Sequence, residues 1–314
     1  MIVFLQESLK FILPLLIVAL AGYMSEKSGI VNIALEGTMV FGAFIGVLFL
    51  NQNPQLQGQG TLLLAILIAA LGGAVFQLLH AAASISMRAN QSISGMSLNM
   101  LAPAIAIFIT KMMLDGAEEI PFTQKFLIGE VSGLSKIPII GPIFFEQTFL
   151  TTFVAIGLYI LFLIVINYTK FGLHVRASGE HPHALDAAGV NVKKIRYTSV
   201  LISGALAGFG GLLFFIPTSG SSAANVQGYG FLAIAILVFS RWNIGSIFWS
   251  ALFFGLMKTI SVMGSEIPFI NNMNIPKEFL NMLPYVATIL ILALSSSKSK
   301  APSAVGKPYD MTLR

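Results

Sequence analysis

The sequence predicts an all-α integral membrane protein, a polytopic helical bundle. The 314 residues are 56% hydrophobic and only 10% charged, whereas a soluble domain is about 25% charged. The apolar residues form continuous runs of about 20, the length that crosses a bilayer as a helix. They do not alternate over about ten residues, as the strands of a membrane barrel do. About nine transmembrane helices are expected, within a range of about eight to ten.

Nine apolar runs follow one another along the chain as candidate spans. The first run lacks a basic leading segment and a small-residue cleavage site, so we interpret it as a span and not as a cleaved signal peptide. The seventh run is short for a full crossing, which indicates a broken helix or one that begins further back. The runs are 9–24, 30–50, 61–87, 92–114, 148–168, 197–216, 229–240, 244–262 and 276–294.

Lys and Arg are unevenly distributed between the two sides that these spans define. With the central loop 176–196 in the cytoplasm, twelve of the 18 Lys and Arg residues fall on the cytoplasmic side. Cytoplasmic loops of membrane proteins carry an excess of these residues. The distribution predicts a multi-pass protein whose N-terminus is outside and whose C-terminus is cytoplasmic.

The central loop, RASGEHPHALDAAGVNVKKIR at 176–196, is the most patterned polar stretch. Pro182 suits the first position of a helix, where its missing N–H is not needed. Gly189 suits the end of a helix, where the backbone turns left-handed. A helix of about two turns would be marginal in water by itself. The pattern therefore indicates either a short helix that docks on a partner or an ordinary solvated loop.

Two further polar segments lie outside the spans. Segment 115–147 is long and rich in acidic residues and proline, and loops of this length are usually functional or structured. It could bind an external partner or cap the helices. The tail 295–314 contains Ser, Lys, Pro and Gly without an apolar period and is expected to be disordered. Residues 1–294 are therefore predicted to form a single transmembrane domain.

Polar side chains within the second predicted span are costly in a bilayer and so draw attention. Asn32 and Glu36 are four residues apart and are expected to share one helix face. They could line a substrate path, or they could form a buried structural hydrogen bond.

The fourth and sixth spans contribute the other candidate path residues. Gln91, Ser94 and Asn99 make the start of the fourth span polar, so these side chains could face an aqueous path or bind a neighbouring helix. Phe215 lies near the external end of the sixth span, with Phe214, Asn225 and Gln227 close by. Aromatic rings with amides suit stacking on a flat polar ligand, and they equally suit an interfacial aromatic belt.

Signatures of catalysis and metal binding are missing from the sequence. There is no Gly-x-x-x-x-Gly-Lys-Ser/Thr pattern, so this chain does not hydrolyse ATP through a P-loop. The chain has no cysteine, which excludes disulfides and thiolate metal sites. His181 and His183 alone are weak evidence for a metal site, and no metal site is predicted. The net charge of +5 fits membrane orientation and not nucleic-acid binding. The chain is not expected to be an enzyme.

Four stretches carry a resemblance, and together they cover roughly half of the chain. They are SEKSGIVNIALEGTMVFGAF (25–44), NQSISGMSLNML (90–101), RASGEHPHALDAAGVNVKKIRYTSVLISGALAGFGGLLF (176–214), and GYGFLAIAILVFSRWNIGSIFWSALFFGL (228–256) followed by LPYVATILIL (283–292). These stretches resemble the permease subunits of bacterial ABC importers, in the branched-chain amino acid, ribose and simple-sugar group. Within that group, the second-span pattern and the SRWN sequence resemble permeases paired with lipoprotein nucleoside receptors, although Ser240 stands where Gly is common.

The resemblance implies a role for the central loop. It would contain a cytoplasmic coupling helix, which seats in a groove of an ATP-binding subunit. Residues 1–294 would then form the permease domain in the bacterial cytoplasmic membrane. The residues that match the coupling motif are Gly179, Glu180, His181, Pro182, Ala184, Asp186, Ala187 and Gly189.

The resemblance also implies a function and its partners. The chain would be a permease subunit of an ATP-driven importer for nucleosides or related simple sugars. ATP and Mg²⁺ would be bound by the separate ATP-binding subunit, and no cofactor by this chain. A second permease subunit, an extracellular substrate-binding lipoprotein and membrane lipid would be the other partners. The second permease would be a different chain, as in the nucleoside-like branch, or an identical one, as in the ribose-type branch, and we favour the heterodimer. The alternative is an ion-coupled secondary transporter, which needs a membrane-embedded acid, and Glu36 is the candidate.

Overall fold

The computed structural model describes residues 2–131, 133–138, 140–218, 221–222, 224–264, 276–294 and 301–310. These ranges are mostly helical. A π-helical turn, Ala82–Ser86, prolongs the third helix. The helices are α1 (Ile2–Lys27), α2 (Leu35–Gln52), α3 (Gln59–Ala81), α4 (Gln91–Met113), α5 (Ile140–Phe145), α6 (Leu150–Tyr168), α7 (Lys170–Glu180), α8 (Pro182–Ala187), α9 (Val192–Thr218), α10 (Tyr229–Phe239), α11 (Ile244–Met263) and α12 (Lys277–Leu294).

The prediction of a polytopic helical membrane protein is confirmed. In the described part of the chain, seven helices are long and apolar enough to cross a membrane, namely α1, α2, α3 with its π-helical turn, α4, α6, α9 and α11. Each of the other two predicted spans also contains a helix. The seventh, α10, has only 11 residues, so it covers about 16 Å by the helical rise and is shorter than the bilayer core. The ninth, α12, has 18 residues.

Helix α9 forms the centre of the bundle and packs against α1, α2 and α3. In its most apolar window 83% of the residues are buried, against 28% in α4 and in α6. The glycines of α9 allow its backbone to touch the backbones of neighbouring helices. A Cβ atom on Gly208 would lie 2.3 Å from the carbonyl oxygen of Ala69 in α3. Small residues permit this close packing of membrane helices.

Replacing Gly208 with valine is expected to lower the free energy of unfolding by about 2 kcal/mol or more, because overpacking forces the backbones of α9 and α3 apart. Thermal unfolding in detergent measures this loss. The matched control is Gly157→Val in α6, where a Cβ atom would meet nothing within 4 Å. Equal unfolding midpoints for the two variants would contradict the assignment of α9 as the close-packed centre.

The bundle has two ends, which we name by what they carry. The strand end carries the four short strands, and the loop end carries α7 and α8. Helix α1 begins at the strand end, where Gln6 Nε2 donates to the carbonyl of Pro142 at 2.6 Å. It finishes at the loop end, where the carbonyl of Lys27 packs against Gly179. Residues 301–310, the C-terminal segment, also lie at the loop end. The start of α1 and the C-terminal segment are therefore at opposite ends of the bundle.

Segment 115–147 has structure of its own at the strand end. Strands β1 (Ile120–Pro121) and β4 (Ser221–Ser222) pair antiparallel, with Ile120 opposite Ser222. Strands β2 (Leu127–Glu130) and β3 (Glu146–Phe149) form a second antiparallel pair. The first pair joins the segment to the chain that follows α9. This segment therefore packs over the helix ends and is not an extended free loop.

The prediction of a disordered tail does not hold for residues 301–310, and residues 295–300 and 311–314 lie outside the described residues. The backbone N–H of Ala304 donates to the carbonyl of Gly179 at 2.8 Å. Tyr309 is 6% exposed. Composition indicated disorder because the tail has few apolar residues, but one tyrosine and several backbone hydrogen bonds hold this part in place.

Candidate functional site

The central loop forms the two short helices α7 and α8, with a break at His181. Pro182 occupies the first turn of α8, and Gly189 follows the helix with φ of +81°. Both positions agree with the sequence analysis. Leu185 is the buried residue of α8 and packs in a cluster with Val192 and Tyr309. Leu185 therefore holds helix α8 against the bundle, and the opposite face of the helix, its open face, is exposed.

Seven of the eight residues that match the coupling motif lie at this open face or its edges. Pro182 and Asp186 are half-buried, and the exposed ones are Glu180, His181, Ala184, Ala187 and Gly189. The eighth, Gly179, is buried. A Cβ atom on Gly179 would lie 2.3 Å from the carbonyl oxygen of Lys27. Gly179 therefore packs α7 against the end of α1 and offers no surface to a partner.

The connection between α1 and α2, residues 28–34, turns back into the bundle. It is not helical, so the predicted start of the second span at residue 30 is wrong. Ser203 Oγ donates to the carbonyl of Ala21 at 2.6 Å and accepts from Asn32 Nδ2 at 2.9 Å. Ala21 lies six residues before the end of α1, so Asn32 sits about 9 Å inside that end by the helical rise.

This non-helical connection keeps its backbone hydrogen-bonded through side chains of α3 and α4. Gln91 Oε1 accepts from the N–H of Val31 at 2.7 Å. His80 Nε2 lies 2.9 Å from the carbonyl oxygen of Val31, which can only accept, so Nε2 carries the proton. Nδ1 then accepts from the hydroxyl of Ser94 at 3.0 Å. Irregular backbone at membrane depth requires such partners.

Asn99, further along α4, also hydrogen-bonds the backbone near this connection. Its Nδ2 donates to the carbonyl of Ile33 at 2.8 Å, and its Oδ1 accepts from the N–H of Gly37 at 2.7 Å. The structure thus brings four of the six candidate path residues, Asn32, Gln91, Ser94 and Asn99, to one place around residues 31–37. All four make structural hydrogen bonds there.

Glu36 has a different role from Asn32. The expectation that the two residues share a helix face is wrong, because α2 begins only at Leu35 and Asn32 lies before it. The two carboxylate oxygens of Glu36 accept from the N–H of Gly228 at 2.8 Å and from the N–H of Gly230 at 2.6 Å. These N–H groups belong to the N-terminus of α10, which would otherwise leave them without partners. Glu36 therefore caps α10 at the positive end of its helix dipole.

A cavity of about 590 Å³ opens at the strand end, and Phe215 is in its wall. Phe214 and Phe215 meet edge to face at 5.0 Å, and Phe214 lies 4.7 Å from the ring of Tyr229. Phe215 is only 4% exposed, so little of its ring is accessible from the cavity. The amides of Asn225 and Gln227 also line this cavity.

Sequence reasoning did not single out every polar residue that is buried in the bundle, and His80 and Lys258 are two that it missed. His80 is fully buried, and a histidine within a span was a signal that could have found it. Lys258 lies within the eighth predicted span, 244–262, and is only 7% exposed. Its Nζ lies 5.7 Å from the ring centroid of Tyr229. Its position 14 residues into α11 was the missed signal.

Comparison with known proteins identifies the family to which the chain belongs. Residues 4–293 match the family described as branched-chain amino acid transport system / permease component. The chain is 39% identical over 308 residues to the guanosine ABC transporter permease protein NupQ of Bacillus subtilis, covering 98% of this chain and 96% of NupQ. It is 41% identical over 297 residues to the nucleoside ABC transporter permease protein NupC of Lactococcus lactis, covering 94% and 93%.

A more distant relative comes from the same Lactococcus lactis strain as NupC. The chain is 22% identical over 317 residues to the nucleoside ABC transporter permease protein NupB, covering 95% of this chain and 83% of NupB. The matches extend along nearly the whole chain and include α8, the connection 28–34 and α10. The chain belongs to the branched-chain amino acid transport system permease family.

Proposed function

We propose that this chain is a permease subunit of an ATP-driven ABC importer for nucleosides. The observation that carries the proposal is α8, a six-residue helix with an open face, in a chain 39% and 41% identical to two permeases named for guanosine and nucleoside transport. A helix this short has little stability of its own. An exposed short helix anchored to the bundle is suited to passing a partner's movement to the transmembrane helices.

In this proposal the loop end faces the cytoplasm and the strand end faces outward. The ATP-binding subunit docks on α8 and binds ATP and Mg²⁺. The orientation agrees with the excess of Lys and Arg on the loop side. The cavity at the strand end, about 590 Å³, lies within the usual range for small-molecule sites of about 300–1,000 Å³. A lipoprotein outside the membrane would deliver the nucleoside to that end.

A second, different permease subunit would complete the path. Two distinct permease proteins of one Lactococcus lactis strain bear the nucleoside name, and this chain is 41% identical to one and 22% to the other. We therefore expect a heterodimer with a chain related to the second. An ion-coupled mechanism has less support, because both oxygens of Glu36 accept from the backbone of α10.

Purification of the chain from native membranes tests this function. An ATP-binding protein, a second permease and a lipoprotein are expected among the bound proteins, and proteoliposomes of the complex should take up guanosine with ATP present. Ribose and glucose serve as competing substrates, since uptake of either in preference to guanosine would overturn the nucleoside assignment. A chain that purifies alone and moves substrate down an ion gradient would overturn the ABC assignment.

A further inference from the structure

The C-terminal segment, residues 301–310, binds the break between α7 and α8. Ala304 N–H donates to the carbonyl of Gly179 at 2.8 Å. Ser303 Oγ donates to the carbonyl of Glu180 at 2.5 Å, and Ser303 N–H donates to the Glu180 carboxylate at 3.2 Å. The last carbonyls of a helix lack partners within the helix. The C-terminal segment supplies these partners at the point where the chain turns from α7 into α8.

The same segment reaches three other parts of the bundle. Gly306 N–H donates to the carbonyl of Gly29 in the α1–α2 connection at 3.1 Å. Arg196 of α9 donates to the carbonyl of Lys307 at 3.2 Å. Arg88, between the π-helical turn and α4, forms an ion pair with Asp310 at 2.7 Å. The segment therefore ties α7 and α8 to the connection 28–34, which enters the bundle.

Tyr309 is the side chain on which the position of α8 depends. Its ring packs with Leu185, the buried residue of α8, and with Val192 at the start of α9. The ring of His183 lies 5.2 Å away, and the guanidinium of Arg196 lies 5.9 Å from the centroid of the tyrosine ring. Without this ring, Leu185 would lose a large part of its apolar contact, since an aromatic side chain buries about 150–250 Å².

The surface beside α8 is continuous with the C-terminal segment. A groove of about 400 Å³ is lined by His181, Pro182 and His183 and also by Lys307, Pro308 and Tyr309. Lys307 and Pro308 are exposed, as are His181 and Ala187. A partner that covers the open face of α8 would therefore also meet the C-terminal segment.

We infer that the docking surface for the ATP-binding subunit is composite, formed by α8 together with residues 303–308 and held in place by Tyr309. This inference rests on the proposed function, which names the ATP-binding subunit as the occupant of the α8 face. The C-terminal segment contributes contact surface, and it also carries a displacement of α8 to the connection 28–34 through Gly306 and Gly29.

Cysteine labelling of the complex tests the composite surface, because the chain has no native cysteine. Lys307→Cys is expected to react with a soluble maleimide in the free chain and to be protected when the ATP-binding subunit is bound. Ala187→Cys on α8 reports docking itself. The control is Gln55→Cys, an exposed position at the strand end, which should react equally in both states.

The three positions distinguish failure of the inference from failure of the proposed function. Protection of Ala187→Cys with full labelling of Lys307→Cys would overturn the composite surface and leave docking at α8 intact. Labelling of both in the complex would overturn docking at α8 itself.

A second pair of variants tests the role of the tyrosine ring. Tyr309→Ala should weaken binding of the ATP-binding subunit by about tenfold, a loss of about 1.4 kcal/mol. Tyr309→Phe keeps the ring and should bind as the native chain does. Equal affinity of all three chains would overturn the role of Tyr309, and retention of the second permease by Tyr309→Ala shows that the bundle remains folded.

Discussion

Replacing Ala187 with arginine is expected to reduce ATP-driven uptake at least about tenfold, because the new side chain would occupy the open face of α8. Ala187 is exposed, so the substitution adds bulk and charge without disturbing the packing of the bundle. A loss of about 1.4 kcal/mol of binding free energy would by itself weaken the ATP-binding subunit's affinity tenfold. Uptake by proteoliposomes and the amount of ATP-binding protein retained on the purified complex are the two measurements.

The control for this variant is Gln55→Arg, which places the same side chain at an exposed position of the strand end. It should leave retention of the ATP-binding protein unchanged. Native retention and uptake by Ala187→Arg would show that α8 is not the docking surface. Gly179→Asp is unsuitable for this test, because Gly179 contacts the carbonyl of Lys27 and a substitution there would displace α7 from α1.

Replacing Glu36 with alanine is expected to lower the free energy of unfolding by about 3 kcal/mol, because two N–H groups of α10 would lose a charged acceptor. Glu36→Gln keeps one oxygen acceptor, so its free energy of unfolding should lie between those of the native chain and Glu36→Ala. Thermal unfolding in detergent measures the order of the three chains. In proteoliposomes Glu36→Gln should still depend on ATP for uptake.

Glu118→Ala is the matched control, because the Glu118 side chain is 76% exposed and forms a surface ion pair with Lys111. An exposed pair of this kind contributes little to stability. Equal unfolding midpoints for Glu36→Ala and Glu118→Ala would contradict the capping role of Glu36. Loss of ion coupling with Glu36→Gln would instead support the secondary transporter.

Local sequence signals were sufficient for most of the helices and for α8. Pro182 and Gly189 marked the two ends of α8 because each residue has a backbone preference that does not depend on the rest of the fold. The apolar runs placed the membrane helices for the same reason, since their lengths match the bilayer.

The remaining features depend on contacts that lie far apart in the chain. Residues 30–34 are apolar enough for a helix, but they are not helical. The side chains of Gln91, His80 and Asn99 hydrogen-bond the backbone of Val31 and Ile33 instead. Order in the C-terminal segment depends on the fit of Tyr309 beside Leu185. Composition and periodicity describe neighbours in sequence, so neither feature could be predicted from them.

The cap that Glu36 places on α10 has a consequence for the synthesis of the protein. The two N–H groups that donate to this carboxylate belong to residues 192 and 194 positions further along the chain. During translation Glu36 is therefore made long before its partners, and a bare carboxylate within a bilayer is costly. We therefore expect the start of α2 to remain hydrated until α10 has been made, and α2 to reach its final position only once α10 can supply the two donors.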